Sequence, residues 1–353
     1  MRCLIYALGS GWGHLNRALS LGRVIAKKGK VIIITSSPYS HLVNTEGCYL
    51  KRIPQHQNFQ ETYQLVRDII IQDFQTSSEY KCLIVDTFPR GLGGELADIL
   101  PTIQNIPKIL IHRDINPRYV AAKNLRNFVT KHYDGIIIPG EGNNLPLSDL
   151  SKVKHTHPWL IRHYWELESI IATPKNILKV DASVTTILVC AGGKLSELSF
   201  FSELTQKLHQ VFPECAVRIL AATLPIGCCS SLWISHHPGI ECIAAADIVI
   251  GGGGYNTVYE CAAVNVPLIA IAFERVYDLQ NERAAKNPQN YIVNHIPSVI
   301  SPEDISRAIA QVKVLLKQIE TKKNHSPNLK KSIPHYKNGA LEAFNHIQKQ
   351  FLV

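Results

Sequence analysis

At 353 residues, with 46% hydrophobic and 18% charged side chains, the chain has the composition of an ordinary folded protein and is long enough for roughly two domain cores. Nine cysteines, none in a CxxC pair, exclude a disulfide-stapled scaffold and a zinc ribbon, and no apolar run reaches the roughly 18 residues that a bilayer span needs. A formal net charge of +9 invites an anionic partner, yet no aromatic interleaving or nucleic-acid motif accompanies it, so nucleic acid is not expected.

The first apolar run, residues 3–8, breaks at Gly9 and is too short for a signal peptide; it reads as a strand of a cytoplasmic protein. Helical spacing follows at Leu15, Ala18, Leu19, Gly22, Ile25 and Ala26. Apolar runs then recur at residues 31–35, 82–86, 108–112 and 135–139, separated by helical patterns, which predicts a parallel α/β sheet. Residues 140–180 carry Pro146, Pro158 and Pro174 without a strong strand or helix pattern and are expected to be a linker. A second set of runs at 186–191, 216–220, 248–251 and 267–273 predicts a second sheet. The expected domains are 1–160, 161–335 and a C-terminal helix within 336–353. In that helix Leu341, Phe344, Ile347 and Phe351 share a face that packs back on the first domain.

Two glycine-rich turns follow predicted strands. In Ile248-Val-Ile-Gly-Gly-Gly-Gly-Tyr-Asn-Thr-Val-Tyr-Glu260 an apolar strand runs into four glycines and a helix start. Glycine tolerates positive φ and close approach to backbone, and a helix N-terminus attracts phosphate. In Leu8-Gly-Ser-Gly-Trp-Gly-His-Leu-Asn-Arg-Ala18 the glycines precede His14, with Arg17 one turn later. The second predicted strand ends in Thr35-Ser-Ser-Pro38 without an acidic residue, which rejects a nicotinamide-dinucleotide site. At the positive end of a helix a neutral imidazole is favoured, so His14 is a candidate general base; capping or packing is the plainer role. Asp86 closes an apolar strand, where it could orient His14, hold a hydroxyl or cap a turn, and Arg113 and Asp114 are weaker candidates of the same kind. Ligands of open α/β sheets bind beyond the strands' carboxyl ends, so the two turns are expected to face each other across an interdomain cleft.

These motifs carry a resemblance. Gly11-Trp-Gly-His-Leu-Asn-Arg17 resembles the acceptor-side loop of GT-B glycosyltransferases, and the stretch from Gly253 to Phe273 resembles their donor motif. The pattern is similar to that of the N-acetylglucosaminyltransferases that form lipid II. A set of predicted glycosyltransferases also shares Val85-Asp-Thr-Phe-Pro-Arg-Gly-Leu-Gly-Gly-Glu95 and His112-Arg-Asp-Ile115. The similarity spans about residues 1–290. It implies an α/β GT-B fold of two Rossmann-like domains. The implied activity is transfer of a sugar from a UDP-sugar to an acceptor hydroxyl with inversion, His14 being the base.

By the same resemblance Glu260 holds the ribose hydroxyls, Gln280 and Asn281 contact the donor sugar, and Arg162 neutralises the diphosphate. Gly13, Gly192, Gly193, Gly253, Gly254, Tyr255, Asn256 and Thr257 complete the donor set, while a contact from Lys194 departs from the family pattern. Against these stand local roles. Thr257 with Glu260 is a capping-box pattern, Gln280 suits an exposed helix start, and Arg162 suits a surface ion pair. No Asp-x-Asp motif occurs, so neither a metal nor a cofactor is implied. The alternatives are a UDP-sugar hydrolase of the same fold and a sugar-nucleotide-binding protein without turnover. The acceptor could be a lipid, a glycan or a small metabolite, and residues 50–80 match nothing chemically interpretable. Lys317, Lys322, Lys323, Lys330 and Lys331 form a basic stretch that suits a solvated helix end or peripheral contact with an anionic inner membrane surface.

Overall fold

The structure is a computed structural model that describes residues 1–9, 11–54, 59–76, 80–113, 115–140, 144–171, 177–181, 183–275, 279–285, 293–298, 300–325 and 332–352. The chain divides into two compact units: Met1–Ile161 with Lys337–Val353, and Arg162–Tyr336.

The first unit contains β1 (Arg2–Tyr6), α1 (Trp12–Ala26), β2 (Lys30–Thr35), β3 (Tyr49–Arg52), α2 (Phe59–Thr76), β4 (Tyr80–Asp86) and α3 (Leu96–Ile99). These are followed by β5 (Lys108–Ile111), α4 (Pro117–Ala122), α5 (Leu125–His132), β6 (Gly135–Pro139) and β7 (Val153–Thr156). The strands form one parallel sheet in the order β3-β2-β1-β4-β5-β6-β7. Its central strands are apolar throughout because both faces are covered, and successive residues serve opposite cores. Cys3, Ile5, Ile33, Ile84 and Ile109 pack with Leu15 and Leu19 of α1, whereas Leu4, Tyr6, Ile34, Val85 and Leu110 pack with Val66 of α2 and Leu96 of α3.

The second unit contains α6 (Tyr164–Ile171), β8 (Thr186–Cys190), α7 (Leu195–Val211), β9 (Ala216–Leu220), β10 (Trp233–Ile234), α8 (Gly239–Ala245) and β11 (Ile248–Gly252). It continues with α9 (Tyr255–Val264), β12 (Leu268–Phe273), α10 (Gln280–Ala285), β13 (Val293–Ser298) and α11 (Pro302–His325). Its parallel sheet runs β10-β9-β8-β11-β12-β13. Ile187, Val189, Ile250 and Ile269 meet Phe201, Leu204 and Leu208 of α7 and Ala308 and Val312 of α11. In each unit the chain moves outward from a first strand to one edge and then restarts on that strand's other side. The first unit therefore has its topological switch point between β1 and β4, and the second has its own between β8 and β11.

Residues 140–180 are not a plain linker. They hold β7, four residues of which only Val153 is apolar, and α6, which at eight residues is too short to show a helical period. Of the four glycines at 251–254, Gly251 and Gly252 belong to β11, and none of the four has positive φ. On α11 the side chains of Lys317 and Lys322 are exposed on a helix face that also carries Glu320, while Lys330 and Lys331 lie outside the described residues. No described helix is long and apolar enough to cross a membrane.

The last helix, α12 (Gly339–Phe351), belongs to the first unit and adds Ala340, Ala343, Phe344 and Ile347 to the core on the α1 side. Leu341, expected on that face, is exposed, because the buried stripe is centred on residues 340, 343, 344 and 347. Docking is polar at the helix start. The Asn338 side chain accepts from the Ala340 amide (3.0 Å) and donates to the Leu160 carbonyl (2.7 Å), and the Gly339 amide donates to the Pro158 carbonyl (2.9 Å). A Cβ on Gly339 would lie 1.7 Å from the His157 carbonyl oxygen, a backbone atom that cannot step aside. Gly339→Ala is therefore expected to destabilise the protein by about 1–3 kcal/mol, read as a lowered midpoint in urea unfolding. An unchanged midpoint would show that α12 docks without this close approach.

Candidate functional site

Each switch point gathers polar groups. In the first unit β4 delivers Asp86 to its carboxyl end, fully buried, and α1 starts beyond β1 with His14 and Arg17 one turn apart. The helix begins at Gly11 in extended conformation, and no side chain caps its first turn, so His14 is not a cap. His14 Nδ1 lies 2.6 Å from Asp86 Oδ2. Arg17 grips the same carboxylate twice, Nε to Oδ1 at 2.9 Å and Nη2 to Oδ2 at 2.8 Å, and Nη2 also reaches Thr87 Oγ1 at 3.1 Å. Burial pushes the Asp86 carboxyl up, but the Arg17 guanidinium and the His14 hydrogen bond outweigh it and hold the group well below the usual carboxylate range. An ionised carboxylate only accepts, so His14 Nδ1 donates to Asp86 and Nε2 is the ring nitrogen not engaged by this carboxylate.

Two neighbours fix the ring. Phe88 stacks on it with centroids 5.5 Å apart, and a Cβ at Gly9 would fall 2.2 Å from His14 Cδ2, so only glycine leaves the imidazole its place. The loop that carries Phe88 is pinned from below by Glu95, 1% exposed, which accepts from the Gly93 amide (2.8 Å) and from the Tyr6 hydroxyl; that hydroxyl accepts from the Leu92 amide (2.7 Å). Gly91 has φ +86°, and a side chain there would strike Glu95. Residue types alone gave no hint of Phe88, Tyr6 or Glu95 as supports; the glycine spacing before Glu95 was the available signal. Arg113 is buried, His112 donates to the Pro146 carbonyl, and Asp114 lies outside the described residues.

In the second unit Gly192 and Gly193 follow β8, and Gly253 and Gly254 follow β11. Gly193 has φ +113° and leads into α7, whose cap residue is Lys194. Gly253 has no room for a side chain, since a Cβ would lie 2.9 Å from the Gln280 carbonyl oxygen and 3.2 Å from Ala272 Cβ. Its carbonyl accepts from buried Arg283 Nη1 (3.1 Å). Gln280 is buried rather than solvent-facing, and its Oε1 accepts from the Phe273 amide (3.1 Å), tying α10 to the end of β12. Asn281 follows it, half-buried.

Helix α9 starts at Gly254 with no side-chain cap, so the capping-box reading of Thr257 and Glu260 fails: Thr257 lies inside the helix and its methyl group packs toward Gly251. Tyr255 and Asn256 form the first turn, and the Tyr255 ring packs on Tyr259 at 4.7 Å. Glu260, a turn and a half into the helix, is 6% exposed, and no described residue donates a hydrogen bond to it. Burial pushes its carboxyl up to about 8. Beside it is Gly239, where a Cβ would stand 4.0 Å from Glu260 Oε2. Arg162 donates from Nε to Glu241 Oε1 (2.6 Å), while Oε2 of the same carboxylate takes His236 Nε2 (2.7 Å); the Arg162 side chain is 12% exposed, a half-hidden ion pair rather than a surface one.

The Glu260 protonation state has a consequence for stability. The folded protein keeps a proton there that the unfolded chain gives up above about 4.5. Stability from this group is full below 4.5, falls as pH rises toward 8 and levels off beyond. Glu260→Gln should remove that decline and, at pH 8, exceed the parent in stability by on the order of a few kcal/mol in urea unfolding. An equal difference at pH 8 and at pH 4.5 would show that the carboxyl is already matched.

With this geometry in hand, residues 237–337 match the glycosyltransferase family 28 C-terminal domain. No curated protein sequence matches the chain. Among solved structures, the glycotransferase of kitacinnamycin superposes with a TM-score of 0.60 at 13% identity, covering 99% of both chains. MurG of Acinetobacter baumannii gives 0.55 at 14% identity, again over 99% of both. The spinosyn rhamnosyltransferase SpnG, complexed with thymidine diphosphate, gives 0.57 at 14%, covering 98% of this chain and 100% of its own. The family match supports glycosyl transfer as the class of activity. The chain thus has the GT-B glycosyltransferase fold of two parallel-sheet α/β units, and its residues 237–337 are similar to the glycosyltransferase family 28 C-terminal domain.

Proposed function

We propose that the protein transfers a hexosyl or N-acetylhexosaminyl group from a UDP-sugar to an acceptor hydroxyl, with inversion and without a metal. The observation that carries this reading is the His14–Asp86–Arg17 arrangement, an imidazole whose Nδ1 is committed to a buried carboxylate that Arg17 also grips. In the proposed reaction Nε2 takes the acceptor hydroxyl proton as the oxygen attacks the anomeric carbon. The bond from that carbon to the diphosphate oxygen breaks on the opposite face, and the nucleoside diphosphate leaves. Asp86 stays ionised and stabilises the imidazolium, while Arg17 keeps the carboxylate from taking the proton itself.

Donor recognition falls to the second unit. Glu260, buried without a hydrogen-bond donor, suits a vicinal diol that supplies two, which favours a ribonucleotide. Amides of the Gly192–Gly193 and Gly253–Gly254 turns, with those of the first turn of α9 through Tyr255, Asn256 and Thr257, stabilise the diphosphate as charge develops. Arg162 adds its guanidinium, and Gln280 and Asn281 read the sugar hydroxyls. The complex of the SpnG structure with thymidine diphosphate supports a nucleoside diphosphate as the leaving group. Backbone amides and a guanidinium take the role a metal would otherwise fill. Cytoplasmic action, with the exposed lysines of α11 near an anionic membrane surface, is part of the same proposal.

His14→Ala should lower transfer by about 10²–10⁴-fold while leaving the UDP-induced thermal shift intact. A variant that retains its rate would remove His14 as the base. Release of free sugar at a rate indifferent to any acceptor would instead assign hydrolysis, with water as the nucleophile. UDP should bind at least about tenfold more tightly than its 2′-deoxy analogue by calorimetry, and Glu260→Ala should erase the difference. Equal binding of both nucleotides by the parent protein would remove Glu260 from the ribose.

A further inference from the structure

Glu197 and Arg275 form an ion pair that the donor motifs do not include. Glu197, third residue of α7, is 1% exposed, and both of its oxygens are taken by Arg275, Nη1 to Oε1 at 2.7 Å and Nη2 to Oε2 at 2.5 Å. The paired fork geometry is the one that guanidinium and carboxylate match best. Arg275 also lies over the Phe273 ring, 5.4 Å from its centroid, which fixes the direction of the side chain. The two residues come from the segments after β12 and β8, which are separated in the sheet by β11. With neighbouring strands about 4.8 Å apart, the pair spans roughly 10 Å across the carboxyl end of β11, where the Gly253 turn begins.

The carboxylate has a cost at this position. It sits in the first turn of α7, directly after Gly192 and Gly193, and a Cβ on Gly193 would be 2.0 Å from Glu197 Oε2 and 3.4 Å from Arg275 Nη2. The glycine is therefore needed twice, for its φ of +113° and for the space the ion pair fills. A diphosphate approaching these amides meets a negative charge in the same turn unless a cation cancels it. Buried charges close to the ligand are screened far less than surface ones.

We propose that Arg275 is a donor-positioning residue that acts through Glu197, cancelling its charge and holding the Gly192–Gly193 turn open so that a diphosphate can lie against it. This rests on the second unit being the donor side. Arg275 is then a support, and its loss harms binding through the carboxylate it leaves uncovered.

The test is UDP and uridine affinity by calorimetry for the full chain and for Arg275→Gln, Arg275→Lys, Glu197→Gln and the double variant Glu197→Gln/Arg275→Gln. Arg275→Gln should weaken UDP binding by about 10–100-fold and leave uridine binding unchanged, while Glu197→Gln binds UDP at least as tightly as the parent. The double variant should return to within about threefold of the parent, the coupling expected of residues that act as one unit. Arg275→Lys, which keeps the charge with one donor group, should stay within about tenfold and guards against a fold defect in the glutamine variant. In turnover, the donor KM should follow the UDP affinities with kcat nearly constant. A double variant as weak as Arg275→Gln would overturn the proposal in favour of direct phosphate contact, and equal losses for UDP and uridine would overturn it in favour of a packing role. Parent protein that binds neither UDP nor thymidine diphosphate would instead overturn the donor reading itself.

Discussion

A parallel strand pair whose following segments leave to opposite faces of the sheet opens a crevice at its carboxyl end, and the chemistry of both units depends on that constraint. After β1 the chain turns into α1 on one face, and after β4 it turns toward α3 on the other; Asp86, in step with Cys82 and Ile84, ends β4 on the face that α1 covers and meets His14 there at neighbouring strand ends. The same divergence after β8 and β11 sets the Gly192–Gly193 and Gly253–Gly254 turns side by side. Sequence distance is irrelevant to this meeting: residues 14 and 86 touch because the sheet order interposes no strand between theirs.

Two buried carboxyl groups show how neighbours rather than burial decide protonation. Asp86 has no exposed surface but is matched by a guanidinium and an imidazole, so it stays ionised. Glu260 is nearly as buried and has no such match, so it holds its proton into the neutral range. In water the two groups would behave alike; here one is a fixed negative charge and the other a neutral group. Glu241 belongs with the first kind, since His236 and Arg162 outweigh the effect of its burial and hold its carboxyl below its ordinary value.

The central strands were legible because both of their faces are buried and their runs are almost purely apolar, as in Ile248–Gly252 and Leu268–Phe273. Edge strands such as Val153–Thr156 were not, because one exposed side gives them Lys154 and His155 and removes the apolar run. His14 and Asp86 could be picked out by type and position. The supports could not: Arg283 reaches Gly253 from thirty residues away, and Glu95 reaches Tyr6 from eighty-nine. Such pairs leave no local pattern, since each partner alone resembles an ordinary surface residue. The glycines misled in a different way. Gly251 and Gly253 are small to let the Thr257 methyl group and the Gln280 backbone approach, a demand of packing that looks the same in sequence as a demand of conformation.

The return of the chain to its first unit bears on the order of assembly. Residues 337–353 complete a core begun by residues 1–161, with Ala343, Phe344 and Ile347 filling the surface left by Leu15 and Leu19. On the ribosome those seventeen residues emerge only after the whole of Arg162–Tyr336 has been made. The second unit is continuous and can close as it emerges, whereas the first waits with one apolar face uncovered. Vectorial synthesis thus inverts the order in the sequence: the unit that is made first is the last to finish.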